Sequence, residues 1–168
     1  MKAIFRLTIL MFVTLVLSSG VVSATTWRWV DSDSNVGWFY DTDSIAFGMK
    51  TDIWGRNIGI DTSRIVFWAK IVFTPEGAMQ VASTERNPSL HNLDHVIALR
   101  TLSLPDKTYI IHNDTYYTAN GAIIASNDYP RKEIIIPDSW GELLYKDIIA
   151  YATVNKDQLT MHTWGIPW

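Results

Sequence analysis

Hydrophobic and polar residues alternate along several stretches of this chain, as they do in β-strands. The clearest stretch is 64–73, RIVFWAKIVF. An extended chain places alternate side chains on opposite faces. One face here would carry Ile65, Phe67, Ala69, Ile71 and Phe73, and the other would carry Val66, Trp68, Lys70 and Val72. Because both faces are largely apolar, the pattern predicts a central strand that is covered on both sides.

Aromatic residues at alternate positions predict a hairpin near the start of this region. Trp27 and Trp29 precede the polar cluster DSDSN, and Trp38 and Tyr40 follow it. Clusters of Asp, Ser and Asn are typical of turns. The segment 41–44, DTDS, then closes the second strand in a polar turn, because Asp side chains bond to nearby backbone N–H groups.

Three further strands are predicted between residues 96 and 126, namely VIALRTLSL, TYIIHNDTYYT and AIIAS. The last two flank Asn120-Gly121, which is the strongest short hairpin signal. The segment 50–63 has mixed polarity and glycines within and beside it, so we expect a loop or an irregular insertion there.

Helix signals appear at two places. Ser139 and Glu142 form a capping box after Pro137, and apolar residues recur at helical spacing beyond it, which predicts a helix over 139–153. A short helix over 76–85 is a weaker expectation. The aromatic tail MHTWGIPW, 161–168, shows no clear secondary structure, and the sequence assigns no role to 156–168. The predicted fold is α+β, with a single antiparallel sheet of about six strands and the C-terminal helix packed on one face.

The first residues resemble a secretion signal. Lys2 and Arg6 precede the apolar run LTILMFVTLVLSS, and small residues follow, ending in Ala24. We therefore expect residues 1–24 to be a signal peptide that is cleaved after Ala24, and residues 25–168 to form one domain. The protein would be exported to the periplasm or secreted. The apolar run is short for a membrane anchor, which needs about 20 residues.

Composition narrows the choice of function. The sequence contains no cysteine, which excludes disulfides, thiolate metal sites and a lipid anchor on an N-terminal cysteine. The net charge of −3 argues against nucleic acid as a partner, because phosphate binding needs a basic face. No later stretch is long and apolar enough to predict a membrane span after signal cleavage. Stability must then come from packing, to which eight tryptophans contribute.

Two segments resemble metal sites, and neither fits well. Asp31, Asp33 and Asn35 match the first ligands of a calcium loop, but Val36 and Thr42 stand where glycine and glutamate are required. The segment 91–95, HNLDH, places two imidazoles four residues apart, but it leads into a strand and no third ligand is evident. We expect no metal and no cofactor.

The sequence contains no catalytic motif that we recognise: no Gly-x-Ser-x-Gly, no His-Glu-x-x-His and no glycine-rich phosphate loop. Asp41 and Asp43 are better explained as turn formers than as a catalytic pair. We therefore expect a protein that is not an enzyme. A hydrolase whose acid and base meet only in the folded chain is the alternative.

The tryptophans fall into groups with different expected roles. Three lie in strongly patterned segments and are expected in the core: Trp38, Trp68 and Trp140. Three others lie in weakly patterned segments and are expected to be exposed, as a candidate protein-binding surface: Trp54, Trp164 and Trp168.

Several of these segments together resemble the surface-adhesin protein E family of exported bacterial domains. The matching segments are Trp29, FYDTDSI, VFWAKIVF, YYTANGAIIAS and IIIPDSWGELLYKDII. The resemblance implies one antiparallel sheet with a C-terminal helix on one side, and binding to host extracellular-matrix or plasma proteins. Adhesins of this kind can carry a lipid anchor and a disulfide that tethers the helix, and this chain has no cysteine for either.

The sequence thus predicts an exported, non-enzymatic, adhesin-like binding module. Its expected partners are host extracellular proteins or envelope proteins. A structural envelope component is a further alternative, besides the hydrolase.

Overall fold

The structure is a computed structural model that describes residues 25–165. The predicted signal peptide, residues 1–24, lies outside the described residues, and so do the side chain of Trp164 and the whole of Trp168. Within residues 25–165, no helix is both long and apolar enough to cross a membrane.

Eight strands form one antiparallel sheet in the described part of the chain. They are β1 (Trp27–Ser32), β2 (Val36–Asp41), β3 (Ala46–Thr51), β4 (Asn57–Phe73), β5 (His95–Ser103), β6 (Thr108–Tyr117), β7 (Ile123–Asn127) and β8 (Arg131–Ile134). The order is β1-β2-β4-β5-β6-β7. The first part of β4 pairs with β3, and the first part of β6 pairs with β8. The predicted antiparallel sheet is confirmed, with more strands than expected.

The prediction of a loop at 50–63 is wrong, because this segment is the tip of the β3–β4 hairpin. Its strand pattern is hidden in the sequence. The register shifts between Phe47 and Gly48 and again between Lys50 and Thr51, so polar and apolar residues do not alternate regularly. Gly55, with φ of 78°, provides the left-handed residue of the turn.

Three α-helices lie within residues 25–165: α1 (Pro75–Thr84), α2 (Trp140–Val154) and α3 (Lys156–Gly165). The helix predicted at 139–153 is confirmed as α2. Ser139 Oγ accepts from the backbone N–H of Glu142 at 3.3 Å, and Glu142 Oε2 accepts from the N–H of Asp138 at 3.1 Å. The predicted short helix is also present as α1, whose N-cap is Thr74.

The tail is helical where no secondary structure was predicted, so that expectation is wrong for residues 161–165. Apolar residues do not recur regularly along α3, and Leu159 is the residue that it contributes to the main core cluster as described. Hydrogen bonds also attach α3 to the start of β3. The Phe47 N–H donates to Thr163 Oγ1 at 2.9 Å, and the ring of His162 lies 2.9 Å from the Ile45 carbonyl oxygen.

The main core lies between one face of the sheet and α2. Its buried residues include Tyr40, Phe67, Leu102, Leu144 and Ile148. The rings of Tyr40 and Phe67 meet edge to face with their centroids 6.5 Å apart. The C-terminal helix therefore packs on one face of the sheet, as predicted.

A second, smaller cluster lies beside α1. It consists of Ala78, Leu93 and Val96, with partly buried neighbours such as Ile71 and Phe73. Both clusters use the same face of β4, because Phe67, Ile71 and Phe73 are separated by even numbers of residues. Neither cluster covers the opposite face of β4.

Candidate functional site

The face of the sheet opposite α2 is open, so the prediction that β4 is covered on both sides is wrong. Trp68 lies on this face and is 37% exposed, which also contradicts its expected place in the core. Trp38 and Trp140, on the covered side, are half-buried. The difference arises because the terminal helices pack against only one face.

Strand pairing places three residues in a row on the open face. Trp27 of β1 is directly opposite Asp41 of β2. Tyr40 is opposite Ala69, so the next residues along, Asp41 and Trp68, lie beside each other. A carboxylate therefore lies between two indoles on neighbouring strands.

These residues line a groove of about 540 Å³. The lining includes Trp27, Trp68 and the turn residues Asp41 and Asp43. The other lining residues are Thr25, Ser44, Ile97, Asn113, Thr115 and Tyr117. The groove combines aromatic faces with a few polar groups, as small-ligand sites do.

The turn at 41–44 holds the carboxylates in place. Asp41 Oδ1 accepts from the backbone N–H of Asp43 at 3.0 Å, and the Asp41 carbonyl accepts from Ser44 Oγ at 2.9 Å. Ser44 Oγ in turn accepts from the N–H of Trp68 at 3.0 Å, which ties the turn to β4. The predicted polar turn is confirmed, and it also forms a wall of the groove.

The carboxylates of the groove have no basic partner. No Lys, Arg or His among residues 25–165 forms an ion pair with Asp41 or Asp43. Lys70, which is not a lining residue, places its Nζ 5.7 Å from the centroid of the Trp27 ring. The groove is therefore acidic overall.

The segments that resembled metal sites have structural roles. Asp33 Oδ1 accepts from the backbone N–H groups of Asn35 and Val36 at 2.7 and 2.8 Å, and these hydrogen bonds lower the pKa of Asp33. His95 stacks on Tyr117 with centroids 4.9 Å apart, and its Nδ1 lies 2.7 Å from Asp94 Oδ2. In the described part of the chain, no group of three or more His, Cys, Asp or Glu residues is arranged to hold a metal ion.

A second candidate surface is the tip of the β3–β4 hairpin. Ile53 is 87% exposed and Trp54 is 73% exposed, as the sequence predicted for Trp54. Asp52 Oδ1 accepts from the N–H groups of both Trp54 and Arg56 at 2.9 Å. Arg56 Nε donates to Asp52 Oδ2 at 2.7 Å, and its guanidinium lies 4.9 Å from the centroid of the Trp54 ring. These contacts stabilise the turn at the tip.

Sequence reasoning missed the groove. The turn between β1 and β2 sets Ser32 opposite Gly37, but a register shift between Trp29 and Asp31 then places Trp27 opposite Asp41, and no sequence pattern indicates this shift. The position of Trp68 could not be inferred either, because it depends on the pairing of β2 with β4, which are separated by the whole β3 hairpin.

Comparisons with known proteins add no family or relative. A scan against protein-family models finds no match to this chain, and a search of curated proteins finds none either. The resemblance to the surface-adhesin protein E family therefore stays a prediction.

Proposed function

We propose that this protein is an exported, non-enzymatic binding module of the adhesin type, and that the β3–β4 hairpin tip contacts its partner. The observation that supports this is the exposed pair Ile53 and Trp54. Large apolar side chains that stand together on a surface mark interaction sites more often than scattered ones do.

The tip has the chemistry of an interface hot spot. Trp and Arg are the residue types that contribute most often to such hot spots, and here Arg56 lies against Trp54. Because the Asp52 hydrogen bonds already hold the turn, little conformational entropy would be lost on binding. Ile58, on the next strand, is 65% exposed and extends the apolar surface.

The proposed partners are proteins outside the cytoplasm, either host matrix and plasma proteins or proteins of the cell envelope. The signal-like segment that ends at Ala24 supports export, and the resemblance to surface-adhesin protein E supports protein partners. N-terminal sequencing of the exported protein should find Thr25 first. A chain that still began at Met1 would contradict cleavage.

The binding proposal is tested by capture of the exported chain on immobilised matrix proteins, plasma proteins and envelope extract. Replacing Trp54 by Ala should weaken capture about tenfold or more, as expected for a hot spot. The matched control is Trp29→Ala, because Trp29 is also exposed, at 56%, but lies on β1. Equal capture by the Trp54→Ala variant and the unmodified chain would contradict a role for the tip.

A further inference from the structure

The groove on the open face of the sheet is separate from the hairpin tip, and the proposed function leaves it without a role. We propose that the groove binds an organic cation, either a primary ammonium or a guanidinium group. The proposal rests on the carboxylates of Asp41 and Asp43, on the indoles of Trp27 and Trp68, and on the volume that they enclose.

Asp41 places a carboxylate in the wall of the groove, where it can bind a positively charged ligand. The residue is only 8% exposed and lines the groove. Its Oδ1 accepts from the N–H of Asp43, whereas its Oδ2 has no hydrogen-bond partner among residues 25–165. This oxygen can therefore accept from a donor that enters the groove, and a bound cation would supply that donor.

Asp43 adds a second negative charge beside the first. It is exposed, and its side chain makes no hydrogen bond or ion pair within the described residues. With Lys70 counted, the groove carries one net negative charge. A cation is therefore attracted in preference to a neutral or anionic ligand.

The aromatic rings favour an organic cation over a metal ion. Ammonium and guanidinium groups bind to the faces of Trp rings at distances up to about 6 Å. An ammonium group already lies near the Trp27 ring, since Lys70 Nζ is 5.7 Å from the ring centroid. Trp68 offers an exposed indole on the other side of Asp41, with no cation against it in the described part of the chain.

Two sources of this cation fit the geometry. One is a lysine or arginine side chain of a partner protein. The other is the α-ammonium of Thr25, which cleavage after Ala24 would create. Thr25 lines the groove, and the backbone carbonyl of Thr26 accepts from the N–H of Thr42 at 3.0 Å. This pairing continues the β1–β2 register and places Thr25 opposite Asp43.

The experiment uses the chain that begins at Thr25, in one form with a free α-amine and in another with an acetylated one. Two tripeptide probes are compared, acetyl-Gly-Lys-Gly-amide and its uncharged counterpart with norleucine. Binding is followed by NMR at the indole N–H of Trp68. The α-amine pKa of the free form is measured by NMR titration.

If the cation is a side chain of a partner protein, the acetylated form should bind the lysine peptide about tenfold more tightly than the norleucine peptide. The reason is that only the lysine peptide carries a charged side chain. For the chain's own N-terminus, the α-amine pKa of the free form should lie above the usual value of about 7.7–8.0. Either result supports the cation site and identifies the source.

Asp43→Asn tests the location, because it removes a charge from the groove without removing a hydrogen bond. It should reduce the preference for lysine and lower the α-amine pKa towards its usual range, since only the Asp41 carboxylate then remains. Asp128→Asn changes the net charge equally on an exposed loop and should alter neither. Equal binding of both peptides together with an ordinary α-amine pKa would overturn the proposal, as would effects of unchanged size in the Asp43→Asn variant.

Discussion

The indole rings of Trp38 and Trp140 stack face to face, with centroids 3.7 Å apart and 3° between their planes. Trp38 belongs to β2, and Trp140 is the first residue of α2. The guanidinium of Arg100 lies 5.3 Å from the centroid of the Trp140 ring. This contact therefore joins the start of the C-terminal helix to the sheet.

Replacing Trp140 by Ala should destabilise the fold, since it removes the stacked ring. Large-to-small changes at buried aromatic positions cost about 3–5 kcal/mol, and because Trp140 is half-buried we expect a cost at or below the low end of that range. The control is Trp54→Ala, an exposed tryptophan whose loss should change stability by less than about 0.5 kcal/mol. Urea unfolding followed by far-UV circular dichroism measures both, and similar midpoints for the two variants would contradict the role of the stack.

The apolar residues of α2 should contribute more to the stability of the fold than its N-cap does. Leu144 is 2% exposed, and its replacement by Ala should cost about 2–5 kcal/mol. Ser139→Ala removes the bond to the Glu142 N–H and should cost about 1 kcal/mol. We expect the melting temperature to fall clearly more for Leu144→Ala, and a reducing agent to change neither variant because there is no cysteine. A Leu144→Ala variant that melts like the unmodified chain would show that α2 does not hold the sheet.

Gly77 is required by a close approach of two backbones. A Cβ at this position would lie 2.2 Å from the carbonyl oxygen of Asn35, which belongs to the β1–β2 turn. Gly77→Ala should therefore lower the melting temperature, at a cost of about 1–3 kcal/mol for the overpacking. Gly59→Ala is the matched control, because a Cβ at Gly59 meets no atom within 4 Å. Equal melting of the two variants would mean that the turn can move away from α1.

Stability at acid pH should depend on Asp147, which accepts from Arg28 Nε at 2.8 Å and from Tyr40 Oη at 2.9 Å. Desolvation acts to raise the pKa of Asp147, but the hydrogen bonds from Arg28 and Tyr40 outweigh it, so the pKa is lowered. A lowered folded-state pKa contributes stability above the unfolded value of about 3.9, and this is lost as the pH falls through the folded value.

The unmodified chain should accordingly be more stable than Asp147→Asn at pH 7. The difference should shrink once the pH falls below about 4, because a protonated aspartate then resembles asparagine. Urea unfolding at several pH values between 2 and 7 measures the difference. If the difference in the free energy of unfolding between the two chains stays constant over this pH range, the lowered pKa of Asp147 is contradicted.

Arg100 is a buried cation. It is 4% exposed and lies near the rings of Tyr109 and Trp140, and its Nε and Nη1 have no hydrogen-bond partner within residues 25–165. Burial lowers the pKa of its guanidinium. Replacement of a buried charge by an apolar residue of similar size is often neutral or stabilising. Arg100→Met should therefore melt above Arg100→Lys, and the reverse order in a thermal scan would show that the charge is stabilising.

Features that depend on residues close together in the chain can be predicted from the sequence. The Ser139 cap, the Asn120-Gly121 hairpin and the turn at Asp41–Ser44 are local hydrogen-bonding patterns, so the sequence predicts them and the structure contains them. The antiparallel sheet and the position of α2 also follow from local periodicity. The β3–β4 hairpin was missed because its register shifts interrupt that periodicity.

Which apolar residues are covered depends on how the helices pack against the sheet, and the sequence pattern does not show this. Phe67 and Trp68 are adjacent and both apolar, yet one is fully buried and the other is 37% exposed, because α2 packs on one face of β4 only. The groove depends on the pairing of β1, β2 and β4, which brings Trp27, Asp41 and Trp68 into one row. Such a row is fixed by contacts between residues distant in the chain, and no local pattern specifies those contacts.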